Sequence, residues 1–306
     1  MNKQQRVAVI GFGLIGQSWA ALMMHHGHDV AIWDPDEALL ANAKQLVEDK
    51  LAQVREVAGR SRSVGRLIVE RTVGDAVRDA ALIQENAPEK IPLKHALFAE
   101  IEKACPRDAI IASSTSSLTW TDLAPGLAGT HRLITAHPFN PPHIMPLVEI
   151  FGVDDEIVGW AEAFYRSLER TPVRLRKPAI GHIANRLASA LWREAVNIVA
   201  EDIADVSAVD LALQAGPGLR WSVVGSHMAY HLGGGTGGIQ HYLDHLGPSQ
   251  ERRWRDLGSP TLSPEVCAKL GAGVEREAAG RSIGELESER DNKLIRVLAA
   301  LGESDD

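Results

Sequence analysis

The stretch Arg6-Val7-Ala8-Val9-Ile10-Gly11-Phe12-Gly13-Leu14-Ile15-Gly16 governs the reading of the whole chain. Its first half is a short apolar run, of the kind that fills a parallel strand buried on both faces. The run ends in a G-x-G-x-x-G turn, and the residues from about 13 to 26 suit a helix. The glycines alone are a weak signal, but between a strand and a helix they take on separate mechanical tasks. Gly11 makes the tight turn, Gly13 admits a pyrophosphate to the backbone, and Gly16 lets helix and strand pack closely. Leu14 and Ile15 open the helix, whose N-terminus faces the phosphates. A second strand at 30–33 leads to Asp34, 18 residues after Gly16. A carboxylate there accepts from the adenosine ribose hydroxyls and repels a 2′-phosphate, so NAD is expected rather than NADP.

Beyond this unit, Asp34-Pro35-Asp36 opens one long amphipathic helix whose apolar face carries Leu39, Leu40, Ala43, Leu46, Val47, Leu51 and Val54. Strand signals at 81–83, 109–112, 133–135, 147–150 and 173–175 alternate with helical ones, which predicts a doubly wound parallel sheet. The β-type runs stop at Lys177-Pro178-Ala179-Ile180-Gly181. A long helix over 182–202 comes next, then helices broken by glycine-rich stretches at 216–218 and 233–238. The last helix opens on a capping box, Ser282-Ile283-Gly284-Glu285. The expected fold is α/β: a Rossmann-type domain over 1–180, then an all-helical substrate and dimerisation domain over 181–306.

Bulk composition narrows the function classes. The chain has 306 residues, 45 % of them hydrophobic, enough for a substantial core, and a net charge of −8. That acidity argues against a nucleic-acid scaffold and against a binder of anionic membranes. Cys105 and Cys267 show no metal-type spacing, so buried reduced thiols and no metal are expected. The start, Met1 to Gln5, is polar and runs straight into a strand, which reads as no signal peptide. No apolar run reaches the roughly 20 residues of a membrane span, so a soluble cytoplasmic protein is expected.

Two further segments carry chemistry. His137 lies in Ala136-His137-Pro138-Phe139-Asn140-Pro141-Pro142, just past a strand, at the sheet edge where open α/β folds bind ligands. Glu149 sits inside the apolar run Leu147-Val148-Glu149-Ile150, and a buried carboxylate is costly unless paired. An imidazole would pair it and be oriented by it. On spacing alone a structural histidine fits His137 at least as well.

The combination His137-Pro138-Phe139-Asn140-Pro141 and Leu147-Val148-Glu149 resembles the H-x-F-N-P and L-V-E marks of the 3-hydroxyacyl-CoA dehydrogenase superfamily. Ser113-Ser114-Thr115-Ser116-Ser117-Leu118 is similar to its S-N-T-S-S-L, with serine at 114 in place of asparagine, and Asn185-Arg186-Leu187 to its N-R-L. The resemblance implies His137 as the base, Glu149 as its orienter, and Ser116 and Asn185 as donors to the substrate oxygen. It also implies Glu85-Asn86 near the nicotinamide, and a homodimer. The segment Gly181-His182-Ile183-Ala184-Asn185 departs from the usual P-G-F-x-x-N. In place of the G-P-F-E-L-x-D of acyl-CoA members stands the run from Gly216 to Gly225, which resembles the branch acting on free hydroxy acids. That branch comprises carnitine dehydrogenases, L-gulonate 3-dehydrogenases and lens λ-crystallins.

Tyr230-His231-Leu232-Gly233-Gly234-Gly235 and the tail from Ala279 to Leu286 are most like the carnitine dehydrogenases. The resemblance thus implies NAD-dependent oxidation of a 3-hydroxyl, with L-carnitine as the expected substrate. L-gulonate, a 3-hydroxyacyl-CoA and a non-catalytic crystallin-like role are the alternatives, the last disfavoured by the intact Ser116, His137, Glu149 and Asn185. A quaternary ammonium is held by aromatic faces, so Phe139, Trp192, Trp221 and Tyr230 are candidates, against ordinary core roles. Arg193, Arg220 and His231 are candidates for the carboxylate, against surface roles. The arginines at 60, 62, 66 and 71 occupy the region that holds CoA in acyl-CoA members, and here read as a solvated face.

Overall fold

The computed structural model describes residues 5–59 and 63–302, so Arg60 and Arg62 lie outside the described residues. Two compact units divide after Arg186. The first is built on eight strands: β1 (Arg6–Ile10), β2 (Asp29–Trp33), β3 (Leu67–Val69), β4 (Leu82–Glu85), β5 (Ile110–Ser113), β6 (Leu133–Pro138), β7 (Leu147–Gly152) and β8 (Thr171–Arg174). Their order in the sheet is β3-β2-β1-β4-β5-β6-β7-β8. The order of strand addition switches sides between β1 and β4, and the glycine turn begins at the carboxyl end of β1 there.

Six of the seven pairings are parallel, but β6 and β7 run antiparallel. The doubly wound, mostly parallel sheet is as expected, with this one antiparallel pair. The link at 139–146 is shorter than the dozen or so residues a parallel crossover needs, so the chain turns straight back. The short edge strand β3 gave no sequence signal, being three half-exposed residues without a buried run.

Side-chain alternation along the strands feeds two cores. Val7 and Val9 face one, with α1 (Leu14–His25), α3 (Ala43–Ala58) and α7 (Asp155–Ser167). Ala8 and Ile10 face the other, with α4 (Val73–Val77), α5 (Ile91–Ala104) and α6 (Trp120–Leu123). The helix expected after Asp34 is divided into α2 (Glu37–Ala41) and α3, because Asn42 leaves helical geometry and its amide donates back to the Ala38 carbonyl. Asp36 caps α2 through the backbone N–H groups of Ala38 and Leu39.

From Ala184 onward every element is helical: α8 (Ala184–Ala200), α9 (Val206–Leu213), α10 (Leu219–Trp221), α11 (Ser226–Gly233), α12 (Gly238–Asp256), α13 (Pro264–Ala278) and α14 (Ile283–Gly302). The helical path breaks at Gly216, next to Pro217, and the capping box forms as Ser282 and Glu285 exchange hydrogen bonds. Cys267 is exposed on α13 and Cys105 is half-buried, which corrects the expectation of two buried thiols. The reason for Cys267 is its place on a helix with almost no buried residues. Among the described residues, no helix is long and apolar enough to cross a membrane, and no group of three or more His, Cys, Asp or Glu could hold a metal ion.

Candidate active site

Gly11 adopts φ +90°, and a Cβ there would stand 2.9 Å from the Asn86 carbonyl carbon. A Cβ on Gly16 would come within 2.1 Å of the Gly11 oxygen, so α1 lies against the turn in a way only glycine permits. Gly13 faces open space, with nothing within 4 Å of the place a Cβ would take, and α1 has no side-chain cap. A bare helix N-terminus behind an open glycine fits a dinucleotide pyrophosphate. Asp34 reaches back from the end of β2. Its Oδ2 accepts from Phe12 N at 2.6 Å and its Oδ1 from Asp36 N at 2.8 Å, fixing the carboxylate beside the glycine turn. Leu14 is exposed, and Ile15 lines the adjoining cavity of about 430 Å³.

The opposite wall comes from β6 and β7. Ile134, Ala136, Val148 and Ile150 face the α1 core, so alternation sends His137 and Glu149 to the other face. The antiparallel register sets these two residues directly opposite each other. His137 Nδ1 and Glu149 Oε2 are 2.9 Å apart, and both side chains are buried. A carboxylate can only accept from that nitrogen, so Nδ1 carries the proton and Nε2 is left as an acceptor. His137 lines the cavity, and Nε2 lies 3.5 Å from Asn185 Nδ2.

Glu149 also accepts from the backbone N–H groups of Ile183 and Ala184, at 2.7 and 2.9 Å, where α8 begins. Burial pushes its carboxyl up, but the His137 hydrogen bond and those two N–H groups outweigh it and hold the group below its usual range. One carboxylate therefore holds the imidazole and anchors the segment that delivers Asn185.

Ser116, Asn185 and Phe139 share this cavity with His137. Glu85 does not. It is fully buried on the α5 side of β4, where it binds Lys94 Nζ at 2.6 Å, Ala87 N at 2.6 Å and the Ser113 hydroxyl. Glu85, expected near the nicotinamide, is turned by alternation beneath α5, together with Ile83. The acidic side chain lining the cavity is Glu89, in the loop after β4. Its carboxylate accepts from Ser116 N at 2.7 Å and Thr115 Oγ1 at 2.8 Å. Sequence reasoning missed Glu89, because a glutamate between Pro88 and Lys90 looks like any solvated loop residue.

A second imidazole also went unassigned. His182 is buried and stacks on His137, with ring centroids 4.7 Å apart and planes 12° from parallel. The other expected substrate residues belong to the second unit. There Trp192, Trp221 and Tyr230 are exposed, as are Arg193 and Arg220. Tyr230 packs on Tyr242, with centroids 4.9 Å apart, in a separate cavity that also includes Trp254. In the first unit Arg66 pairs with Asp29 and Arg71 is exposed, as a solvated face requires.

The model of the 3-hydroxyacyl-CoA dehydrogenase NAD binding domain matches residues 6–178, and that of the C-terminal domain matches residues 181–267. The chain belongs to the 3-hydroxyacyl-CoA dehydrogenase family. As a family member it is an NAD-dependent oxidoreductase. It is 41 % identical to an L-carnitine dehydrogenase of Streptomyces coelicolor, over 97 % of this chain and 95 % of that one. A second L-carnitine dehydrogenase, from Oceanobacillus iheyensis, is 38 % identical over 96 % of this chain and 97 % of its own. Among solved structures, the NAD+-dependent dismutase 5-formyl-3-hydroxy-2-methylpyridine 4-carboxylic acid 5-dehydrogenase superposes with a TM-score of 0.85. It is 26 % identical, over 98 % of this chain and 99 % of that one.

Proposed function

We propose that this family member oxidises the 3-hydroxyl of L-carnitine to the 3-oxo acid, with His137 as the general base. The full-length similarity to L-carnitine dehydrogenases supports the substrate. The observation that carries the mechanism is the buried His137–Glu149 pair, which leaves Nε2 as an acceptor on a residue lining the cavity.

NAD, when bound, supplies the hydride acceptor. The glycine turn from Gly11 to Gly16, with Leu14 and Ile15, would hold its phosphates, and Asp34 would take the adenosine ribose. His137 Nε2 takes the hydroxyl proton as the C–H bond breaks, and Glu149 stabilises the imidazolium that forms. Ser116 and Asn185 donate to the oxygen while charge develops on it. Phe139 offers an aromatic face inside the cavity. Trp192, Trp221 and Tyr230 are the cage candidates of the helical unit, and Arg193 and Arg220 the candidates for the carboxylate.

The domain at 181–306 is assigned to substrate binding and to a homodimer. The exposed Leu211, Leu219, Val223 and Leu232 support the dimer, because a free monomer rarely presents so many large apolar side chains. A cytoplasmic site of action is proposed with it, since the reaction draws on a pool of NAD. NADH formation with L-carnitine, L-gulonate and L-3-hydroxybutyryl-CoA in parallel tests the substrate. A clear preference for carnitine is expected, and turnover of only one of the other two would overturn it.

A further inference from the structure

We propose that His182 is a positioning residue for the reaction: as a neutral ring it holds the plane of His137 and ties the base to the loop that carries Ser116. This rests on the reading of His137 as the base. His182 is 3 % exposed and lies parallel to His137, so the base cannot tilt without displacing a buried ring. Its Nε2 is 3.0 Å from the Thr115 carbonyl. A carbonyl only accepts, so Nε2 carries the proton and donates. Thr115 immediately precedes Ser116, and its hydroxyl donates to Glu89, which also receives Ser116 N. A single side chain thus touches the base on one side and the donor loop on the other.

The backbone supports the same reading. His182 has φ +49°, a left-handed conformation that residues other than glycine seldom adopt. Strain of this kind persists where surrounding contacts over-determine it, and such sites cluster at functional centres. The next two residues give their N–H groups to Glu149, so the strained residue, the orienting carboxylate and Asn185 sit in one short segment.

His182 must also stay neutral. Two protonated rings at this separation repel, so a charge on His182 opposes proton uptake by His137. The charged and titratable groups around it are His137 on β6, Glu149 on β7 and Glu89 in the loop after β4. Burial, and then His137, hold His182 below the usual histidine value, against the opposing pull of the Thr115 carbonyl and the two carboxylates.

The test uses two variants that each keep half of the device. His182→Phe keeps a flat ring without the donor, and His182→Gln keeps a donor without the ring. Each is expected to lower kcat about ten- to a hundred-fold, since small misplacements of reacting groups cost that much. NAD affinity, read by titration, stays within about twofold, as no cofactor contact is lost. In wild type the acid limb of kcat/KM carries a second, lower-pH step where His182 takes up its proton; in both variants that step is absent. Wild-type kcat and an unchanged acid limb in either variant would overturn the proposal. If one variant fails to fold, the other decides. His137→Ala runs alongside: turnover surviving that change defeats the underlying reading, whereas a dead His137→Ala with a wild-type His182→Phe defeats only this one.

Discussion

Glu85 and Glu149 are both carboxylates buried in strands of one sheet, yet their surroundings give them opposite tasks. Glu85 faces the ammonium of Lys94, with both side chains almost wholly out of solvent. Glu85 also grips the Ala87 amide and the Ser113 hydroxyl, and it fixes the turn under the cavity, which only its partner Lys94 lines. Glu149 faces His137, an imidazole that lines the cavity and can pass a proton through its other ring nitrogen. The difference lies in the partner and not in the acid. A buried ammonium makes a buried carboxylate part of the scaffold; an imidazole makes it part of a proton-transfer device.

Breaking the Glu149 side should show the larger effect, and in catalysis. Glu149→Gln removes the charge that favours the imidazolium and no longer enforces the tautomer. Loss of kcat by roughly 100- to 10,000-fold is expected, with NAD affinity nearly unchanged. Steady-state NADH formation, together with cofactor titration, checks it. A kcat within a few-fold of wild type would place Glu149 in the same class as Glu85.

Breaking the Glu85 side should show in stability. Lys94→Met strands a carboxylate in the core, and removing one partner of a buried pair costs about 3–5 kcal/mol. Thermal melting is expected to fall by roughly ten degrees. Unchanged melting with lost turnover would reverse the assignment.

The smallest effect is the acid dependence of folding. His25, His26, His28 and His182 all sit below the usual histidine value of 6.5 in the folded protein, chiefly through burial, and His26 is lowered to about 4. As pH falls below 6.5 the unfolded chain takes up protons first. Their contribution is therefore complete above that value and declines toward about 4. Glu149, held below its usual 4.5, adds a further loss on acidification beyond that point. Urea midpoints should drop steadily over this span, and a flat profile would contradict the burial of these rings.

Much of this was legible in the sequence, for reasons that also mark where reading stopped. Parallel strands buried on both faces leave apolar runs, so β1, β2 and the glycine turn could be read directly. The three-residue β3 leaves none. The pairing of His137 with Glu149 could be suspected but not proved, because it depends on an antiparallel register set by a short link. Which acid after β4 meets the cavity depends on pleat alternation, and with both faces of the strand buried the sequence carries no sign of it. His182 departs from the family pattern in the sequence, but its partner becomes visible only when β6 and the start of α8 stand side by side.

His137 is assigned as the base, and the sharpest check on that role is His137→Ala. NADH formation from L-carnitine and NAD should fall by roughly a hundred-fold or more, while NAD binding by titration stays within about twofold of wild type. Turnover that survives the substitution would show that the proton leaves by another route and that the His137–Glu149 pair is structural, like Glu85 with Lys94.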